Sequence, residues 1–352
     1  MHEVLERALA LREKSRYAEA RTLYKAALRR LDGEDRLGCL MALGDTSRMT
    51  GDFEDAAARY GEAMELAPVL GEKEARMDAQ VGRALALRAL GHWKESLRLL
   101  RAAERRYRSA EDGEGAAFTL WAQAGALRIK GDIPAALAAF REARRAFQGL
   151  RDAHGVGYAL AGMGGTSRAM GRFRDSLRFY GRANQLFRDL RDTFGTAYTH
   201  CGIGNALRML GDHAGALGHF RRAVRLYRRI GDKVSYAYTL WSLAETHMAV
   251  GRAALARKYL LEARKLFKKT RDPRGLVYVR LSLAELAFLE GRGGAAMRSV
   301  LAARREAARW GFALELCHSR ALEAAMEGEA RSACYGRLGV SLRQDGIPLA
   351  IP

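Results

Sequence analysis

Apolar and small residues recur along this chain with two periods at once, a helical one and one of 40 residues. Within 193–210, and again within 214–230, they return every three to four positions, the spacing of one buried helix face. Asp192 precedes the first stretch, where a carboxylate can accept from the free amides of a helix start. Gly211-Asp212 separates the two stretches, glycine being suited to the left-handed close of a helix. Gly231-Asp232 then begins the next cycle, and Asp112, Asp152, Asp192, Asp232 and Asp272 hold equivalent starts. Pro273, directly after Asp272, falls in a first turn where a missing N–H costs nothing. The pattern predicts a helical hairpin of two roughly 17-residue helices, A and B.

The longer period copies that hairpin. Glycine stands at Gly51, Gly91, Gly131, Gly171, Gly211, Gly251 and Gly291, and alanine at Ala63, Ala103, Ala143, Ala183, Ala223, Ala263 and Ala303. A bulky residue recurs at Tyr60, Leu100, Phe140, Tyr180, Phe220, Leu260 and Val300, and a small one at Ala56, Ser96, Ala136, Ser176, Ala216, Ala256 and Ala296. A 36-residue step joins the first unit, through Ala20, Tyr24 and Ala27, and a degenerate unit follows Gly328. The expected fold is therefore all-α, an α-solenoid of about nine hairpins in one domain over 1–343. The units fall near 1–36, 37–76, 77–116, 117–156, 157–196, 197–236, 237–276, 277–312 and 313–343. Each unit stacks on its neighbours rather than folding alone. An extended tail occupies 344–352, where Pro348 stops any helix and Ile347, Leu349 and Ile351 alternate. Ala330–Arg343 is expected to be a capping helix.

These columns resemble the tetratricopeptide repeat (TPR) family: a small residue mid helix A, Gly-Asp at the turn, and alanine, an aromatic and alanine in helix B. The 40-residue unit is similar to the longer-helix subgroup of Pins-type adaptors and Rap-type bacterial regulators. The resemblance implies a right-handed superhelix, with helix A on the concave wall and helix B outside. It also implies a non-enzymatic scaffold that binds protein or peptide.

Other columns repeat without a packing reason. Arg48, Arg88, Arg128, Arg168 and Arg208 stand three residues before the turn glycine, with Arg12 in the same place in the first unit. Ten residues upstream stand Phe118, Tyr158, Tyr198, Tyr238 and Tyr278. At about 100° per residue these share one stripe with the positions three further on, which include Trp121 and Trp241, and seven further on, which include Asp45, Asn205, Glu245 and Glu285. Guanidinium groups repeated once per unit suit an extended acidic ligand, because each offers a planar fork of donors to a carboxylate. The competing expectation is that each arginine pairs with an acid, or lies along the helix, of the next unit. The aromatics, being at helix starts, equally suit packing between units. In Pins-type repeats an asparagine beside the small mid-helix residue contacts peptide backbone. Asn205 matches it, whereas Leu85, Gly125 and Gly165 depart from it.

Charge sharpens this picture. Lys+Arg number 60 against 40 Asp+Glu, and residues 111–310 alone carry 35 basic and 17 acidic side chains, net +18. Part of the excess is a second ladder on helix B: Arg105, Arg145, Arg225, Lys265 and Arg305. It reads as a solvated ridge, or alternatively as a footprint for the backbone of a nucleic acid. Self-assembly through the apolar tail or the solenoid ends is a further alternative; the tail would dock on a neighbouring groove or its own.

Catalytic chemistry is not expected. The eight histidines are scattered, no metal-ligand spacing occurs, and no cofactor is implied. Gly162-Met163-Gly164-Gly165-Thr166-Ser167 lacks a Walker lysine and a preceding strand, so helix packing explains its glycines. No apolar run reaches ~18 residues, so no membrane span is expected. The first twenty residues mix Glu with Arg, unlike a secretory signal. Cys39, Cys201, Cys317 and Cys334 form no CxxC, and free thiols in a reducing cytoplasm are expected.

Overall fold

The computed structural model describes residues 2–329, 334–342 and 351. Eight hairpins follow one another. They are α1 (His2–Glu13) with α2 (Tyr17–Ala27), α3 (Gly33–Met49) with α4 (Phe53–Val69), α5 (Lys73–Ala89) with α6 (Trp93–Ser109), and α7 (Gly113–Lys130) with α8 (Ile133–Gly149). Next come α9 (Ala153–Ala169) with α10 (Phe173–Asp189), α11 (Thr193–Met209) with α12 (His213–Ile230), α13 (Lys233–Ala249) with α14 (Ala253–Lys269), and α15 (Pro273–Leu289) with α16 (Gly293–Trp310). The helices α17 (Ala313–Glu327) and α18 (Cys334–Arg337) close the array, and no strand occurs among the described residues.

The aspartates cap as their positions predict. Asp112, Asp152, Asp192 and Asp272 accept from the amides of Gly115, Gly155, Gly195 and Gly275 at 2.8–2.9 Å. Those four glycines form a further packing column on the 40-residue step, interrupted by Ser235. Tyr107, Phe147, Phe187 and Phe267, near the ends of the preceding B helices, lie where a Cβ on Gly115, Gly155, Gly195 and Gly275 would stand, at van der Waals overlap. Tyr227 holds the equivalent place opposite Ser235.

The alanine column from Ala63 to Ala303 is fully buried, and its bulky companions from Tyr60 to Val300 are at most 3% exposed. Tyr60 fits between Gly44 of its own A helix and Gly82 of the next, and Tyr180 does the same between Gly164 and Gly202. Gly162 lies against Phe140. The glycine-rich stretch around 162–165 is thus a packing surface, as the missing lysine suggests. Each bulky side chain of this kind contributes about 1.5–3 kcal/mol of hydrophobic stabilisation, an upper bound against a compact unfolded chain.

The array coils back on itself. The first four of the 40-residue turn glycines meet residues about four to five units later: a Cβ on Gly51 would stand 2.9 Å from Val234, one on Gly91 2.8 Å from Pro273, and one on Gly131 2.7 Å from Ala313, while one on Gly171 would overlap the carbonyl of Ser341. At Gly211, Gly251 and Gly291 nothing lies within 4 Å. Trp93 Nε1 donates to the carbonyl of Trp310 at 2.9 Å across the same seam, and Arg271 pairs with Glu54. One column therefore holds two kinds of glycine, and only the first four are fixed by a neighbouring turn of the superhelix.

The turns from helix B to the next helix A carry strain. Their left-handed residue is glycine at Gly71, Gly231 and Gly311 but Glu111, Arg151, Arg191 and Arg271 elsewhere, with φ of 51–59°. A side chain costs about 1–2 kcal/mol in this conformation. Arg151→Gly with Arg191→Gly should therefore stabilise the protein by about 1 kcal/mol per site, after glycine's larger unfolded-state entropy is subtracted. Denaturant midpoints check this; an unchanged midpoint would show the strain to be relieved elsewhere.

Two expectations at the C-terminal end are corrected. The capping helix expected over 330–343 is only the four residues of α18 where described, and residues 330–333 and 343 lie outside the described residues. Val340 N bonds back to the Tyr335 carbonyl at 3.1 Å and Gly339 turns left-handed (φ 65°), which ends the helix. Cys317 and Cys334 are not free thiols: they are joined, with Cα atoms 5.5 Å apart, tying α17 to α18. Their separation of 17 residues carries no CxxC signal, and only the fold brings them together. Closing such a loop is worth about 3 kcal/mol. Reductant should release α18 by about that amount while the hairpins before α17 stay folded, as hydrogen exchange would report. Of the expected tail, only Ile351 belongs to the described residues.

Candidate functional site: the inner wall

The arginine column points from each unit into the next. A Cβ on Gly125 would overlap Arg88 Nη1, and one on Gly165 would overlap Arg128 Nη1. The register therefore sets each arginine against the seventh stripe position of its successor, and what stands there decides its chemistry. At the N-terminal end Arg12 meets Asp45 at 3.7 Å, and Arg48 also lies 3.7 Å from Asp45. Burial works against the Arg48 charge, but the Tyr60 hydroxyl and Asp45 outweigh it and hold its pKa above the ordinary value. At the other end Arg208 faces Glu245 and Glu285.

Between these ends the cations are not neutralised. Among the described residues Arg88, Arg128 and Arg168 have no carboxylate within ion-pairing distance. Arg88 lies over the Trp121 ring (5.9 Å) and donates to the Ala122 carbonyl at 3.2 Å. Burial, then repulsion from Arg128 and Arg48, pulls its pKa down to about 10. Arg128 Nε and Arg168 Nε and Nη1 are buried without a hydrogen-bond partner. Burial likewise lowers Arg208 to about 10, with Glu245 pulling back and Arg168 pushing further. Arg88 and Arg208 remain charged at neutral pH. Such unpaired donors are costly to bury, and each needs an explanation.

Several of these groups also lie near enough across the superhelix for an arginine of one unit to act on the ionisation of a group in another. Tyr198 acts on Arg88, Arg48 acts on Tyr158 and Tyr17, and Arg168 acts on Tyr278 and His318. Most of these pairs come from units well separated in the chain. The helix-B ladder is different: Arg105, Arg145, Arg225, Lys265 and Arg305 are exposed on the outside.

The aromatic positions divide. The Tyr158 hydroxyl donates to the capping Asp192 at 2.8 Å, and its ring packs 4.7 Å from Phe187. Tyr238 repeats this with Asp272 and Phe267. Both thus seal one unit to the next. Tyr198 is half-buried between Tyr180 and Phe194. Trp121 stacks on Phe118 and bonds the Tyr158 carbonyl at 3.3 Å, keeping one face partly open beside Arg88. Trp241 occupies the same column but is buried, its Nε1 on Ser282 Oγ at 2.9 Å, so its place is in the core rather than on the wall. Asn205 is 4% exposed; its amide nitrogen reaches the Cys201 carbonyl at 3.2 Å, and its oxygen has no partner among the described residues.

A buried network beyond Arg208 has no signal in the repeat pattern. Arg274 Nε and the Tyr278 hydroxyl both reach Glu315 Oε1, at 2.6 and 2.7 Å, and His318 Nδ1 lies 2.7 Å from the Tyr335 hydroxyl. Burial opposes the Glu315 charge, but Arg274 prevails and holds its carboxyl below the usual range. Neither Arg274 nor Glu315 recurs at 40 residues, so no column marks them. Among the described residues no group of three or more His, Cys, Asp or Glu is placed to hold a metal ion, and no helix is long and apolar enough to cross a membrane.

The arrangement defines a class: a helical-hairpin solenoid whose inner wall carries a run of unneutralised guanidinium groups. Tetratricopeptide-repeat family models match residues 5–69 and 156–229, and the repeat columns run on the same step through the units between them. No curated protein sequence matches this chain. Three solved structures share its fold at 14% identity. A Rap protein complexed with competence and sporulation factor has a TM-score of 0.60 over 93% of this chain and 98% of its own. The Rap conjugation gene regulator of plasmid pLS20, in complex with the Phr* peptide, has a TM-score of 0.65 over 88% and 95%. The apo quorum sensor NprR from B. thuringiensis has a TM-score of 0.52 over 93% of each chain.

Proposed function

We propose that this protein is a non-enzymatic interaction scaffold whose inner wall binds an extended, acidic segment of a partner protein. The supporting observation is the run Arg88, Arg128 and Arg168, partly or largely withdrawn from water and facing no carboxylate among the described residues. Carboxylates spaced along a strand-like ligand would supply the missing charge, each through a charge-assisted and often bidentate bond. Trp121 beside Arg88 offers an aromatic surface, and the unpaired Asn205 oxygen an acceptor for a ligand N–H. Two of the fold relatives are in complex with a competence and sporulation factor or a Phr* peptide, which supports a peptide-like ligand in the same kind of solenoid. A cytoplasmic location is part of this reading.

The test is selection from a displayed random-peptide library, with an Arg128→Ala, Arg168→Ala, Arg208→Ala variant as counter-selection. Enriched sequences should be rich in Asp and Glu and should not be retained by the variant. Enrichment of neutral or basic sequences, or equal retention by the variant, would reject the reading.

A further inference from the structure

The inner wall already holds a piece of this chain. Ile351 is fully buried and belongs to the main hydrophobic cluster, 143 residues from the arginine that binds its backbone. Arg208 Nη2 donates to the Ile351 carbonyl at 2.6 Å. Arg208 is 6% exposed, and its Nε has no partner among the described residues. Earlier in the chain, residues 341 and 342 cross the seam: Ser341 N bonds the Met170 carbonyl at 3.1 Å, and Leu342 would lie 3.5 Å from a Cβ on Gly171.

We infer that Ile351 is a built-in occupant of the ligand groove at Arg208, which a partner segment must displace. This rests on the groove reading above and adds a regulatory element to it. The chemistry favours displacement by an acid. Glu245 and Glu285 act on Arg208 from the same wall, but Glu245 is not within ion-pairing distance of it, and the direct contact that Ile351 offers is a neutral carbonyl, a weaker partner for the buried cation than a carboxylate. A carboxylate in the same place makes a charge-assisted bond roughly twice as strong. The aliphatic side chain of Ile351 supplies the rest of the hold by leaving water. The result is a gate with a threshold: neutral segments compete poorly, and acidic ones win the site.

Binding of a fluorescein-labelled oligoglutamate peptide to full-length protein tests this, alongside hydrogen exchange of 201–209 and 241–248. Ile351→Lys puts a charge where a fully buried aliphatic side chain sits and should evict residue 351 from the wall. If the groove is filled about nine-tenths of the time, the variant binds the peptide roughly tenfold more tightly than the wild type. Its amides near Arg208 exchange faster in the absence of peptide, and Arg208→Ala removes the difference between the two. Equal affinities with unchanged exchange overturn the inference while leaving the groove reading intact. If neither protein binds the peptide, the groove reading fails, and the exchange data still decide whether Ile351 occupies the wall: faster exchange in Ile351→Lys supports occupancy, and unchanged exchange rejects it.

Discussion

Replacing Arg128 and Arg168 together by methionine should weaken binding of an acidic peptide by roughly a hundredfold or more, yet leave the unfolding temperature unchanged or raised. Each guanidinium–carboxylate bond to the peptide is worth about 1.5–3 kcal/mol, and about 1.4 kcal/mol is a tenfold change in affinity. Stability moves the other way because these cations leave buried N–H groups unsatisfied in the free protein, and Arg128 repels Arg88. Methionine keeps most of the stem that lies along the next helix and removes the desolvated charge; exchanges of this kind are often neutral or stabilising by about 1–4 kcal/mol. The two readouts separate the explanations. A ligand site loses affinity without losing stability, whereas an arginine that serves packing loses both. Titration of peptide and thermal unfolding on the same samples provide the comparison.

The second large effect concerns an arginine that is fully paired. Arg274→Met should cost about 3–5 kcal/mol, because it strands the Glu315 carboxylate at 0% exposure without its cation. Adding Glu315→Leu should recover much of the loss, since an apolar pair of similar volume has no charge to desolvate. Urea denaturation of the single and double variants checks this. An Arg274→Met protein as stable as the wild type would mean that the carboxylate is solvated or protonated at little cost. Arg168 and Arg274 thus make opposite predictions, and the difference lies in what each faces.

That difference shows how far the residues alone lead. The hairpins, caps and buried columns were legible because each packing position recurs at the 40-residue step and stacked units repeat the same contacts. The arginine column was legible by the same periodicity. Its chemistry was not, because the step does not say which position of the next unit an arginine meets. The seventh stripe position changes from Asp45 to Gly125 and Gly165 and then to Glu245, and with it the same residue type goes from paired to unpaired. Trp121 and Trp241 share a column, yet only the second is buried. The seven turn glycines look alike in sequence, and only the coiling of the array distinguishes Gly131, held against Ala313, from Gly251, which faces open space. The Cys317–Cys334 bond and the Arg274–Glu315 pair depend on the non-repeating end of the chain, where periodicity has nothing to compare.

The central claim is that the inner wall, and not the exposed helix-B ladder, receives an acidic ligand. Photo-crosslinking an acidic peptide that carries a benzophenone, with the attachment sites mapped by mass spectrometry, addresses it most directly. Crosslinks should fall on the A helices, near Trp121, Arg168 and Asn205, and excess unlabelled peptide should suppress them. Crosslinks along Arg105, Arg145, Arg225 and Lys265 that disappear as salt is raised would contradict the claim and point to an outer polyanion-binding face instead.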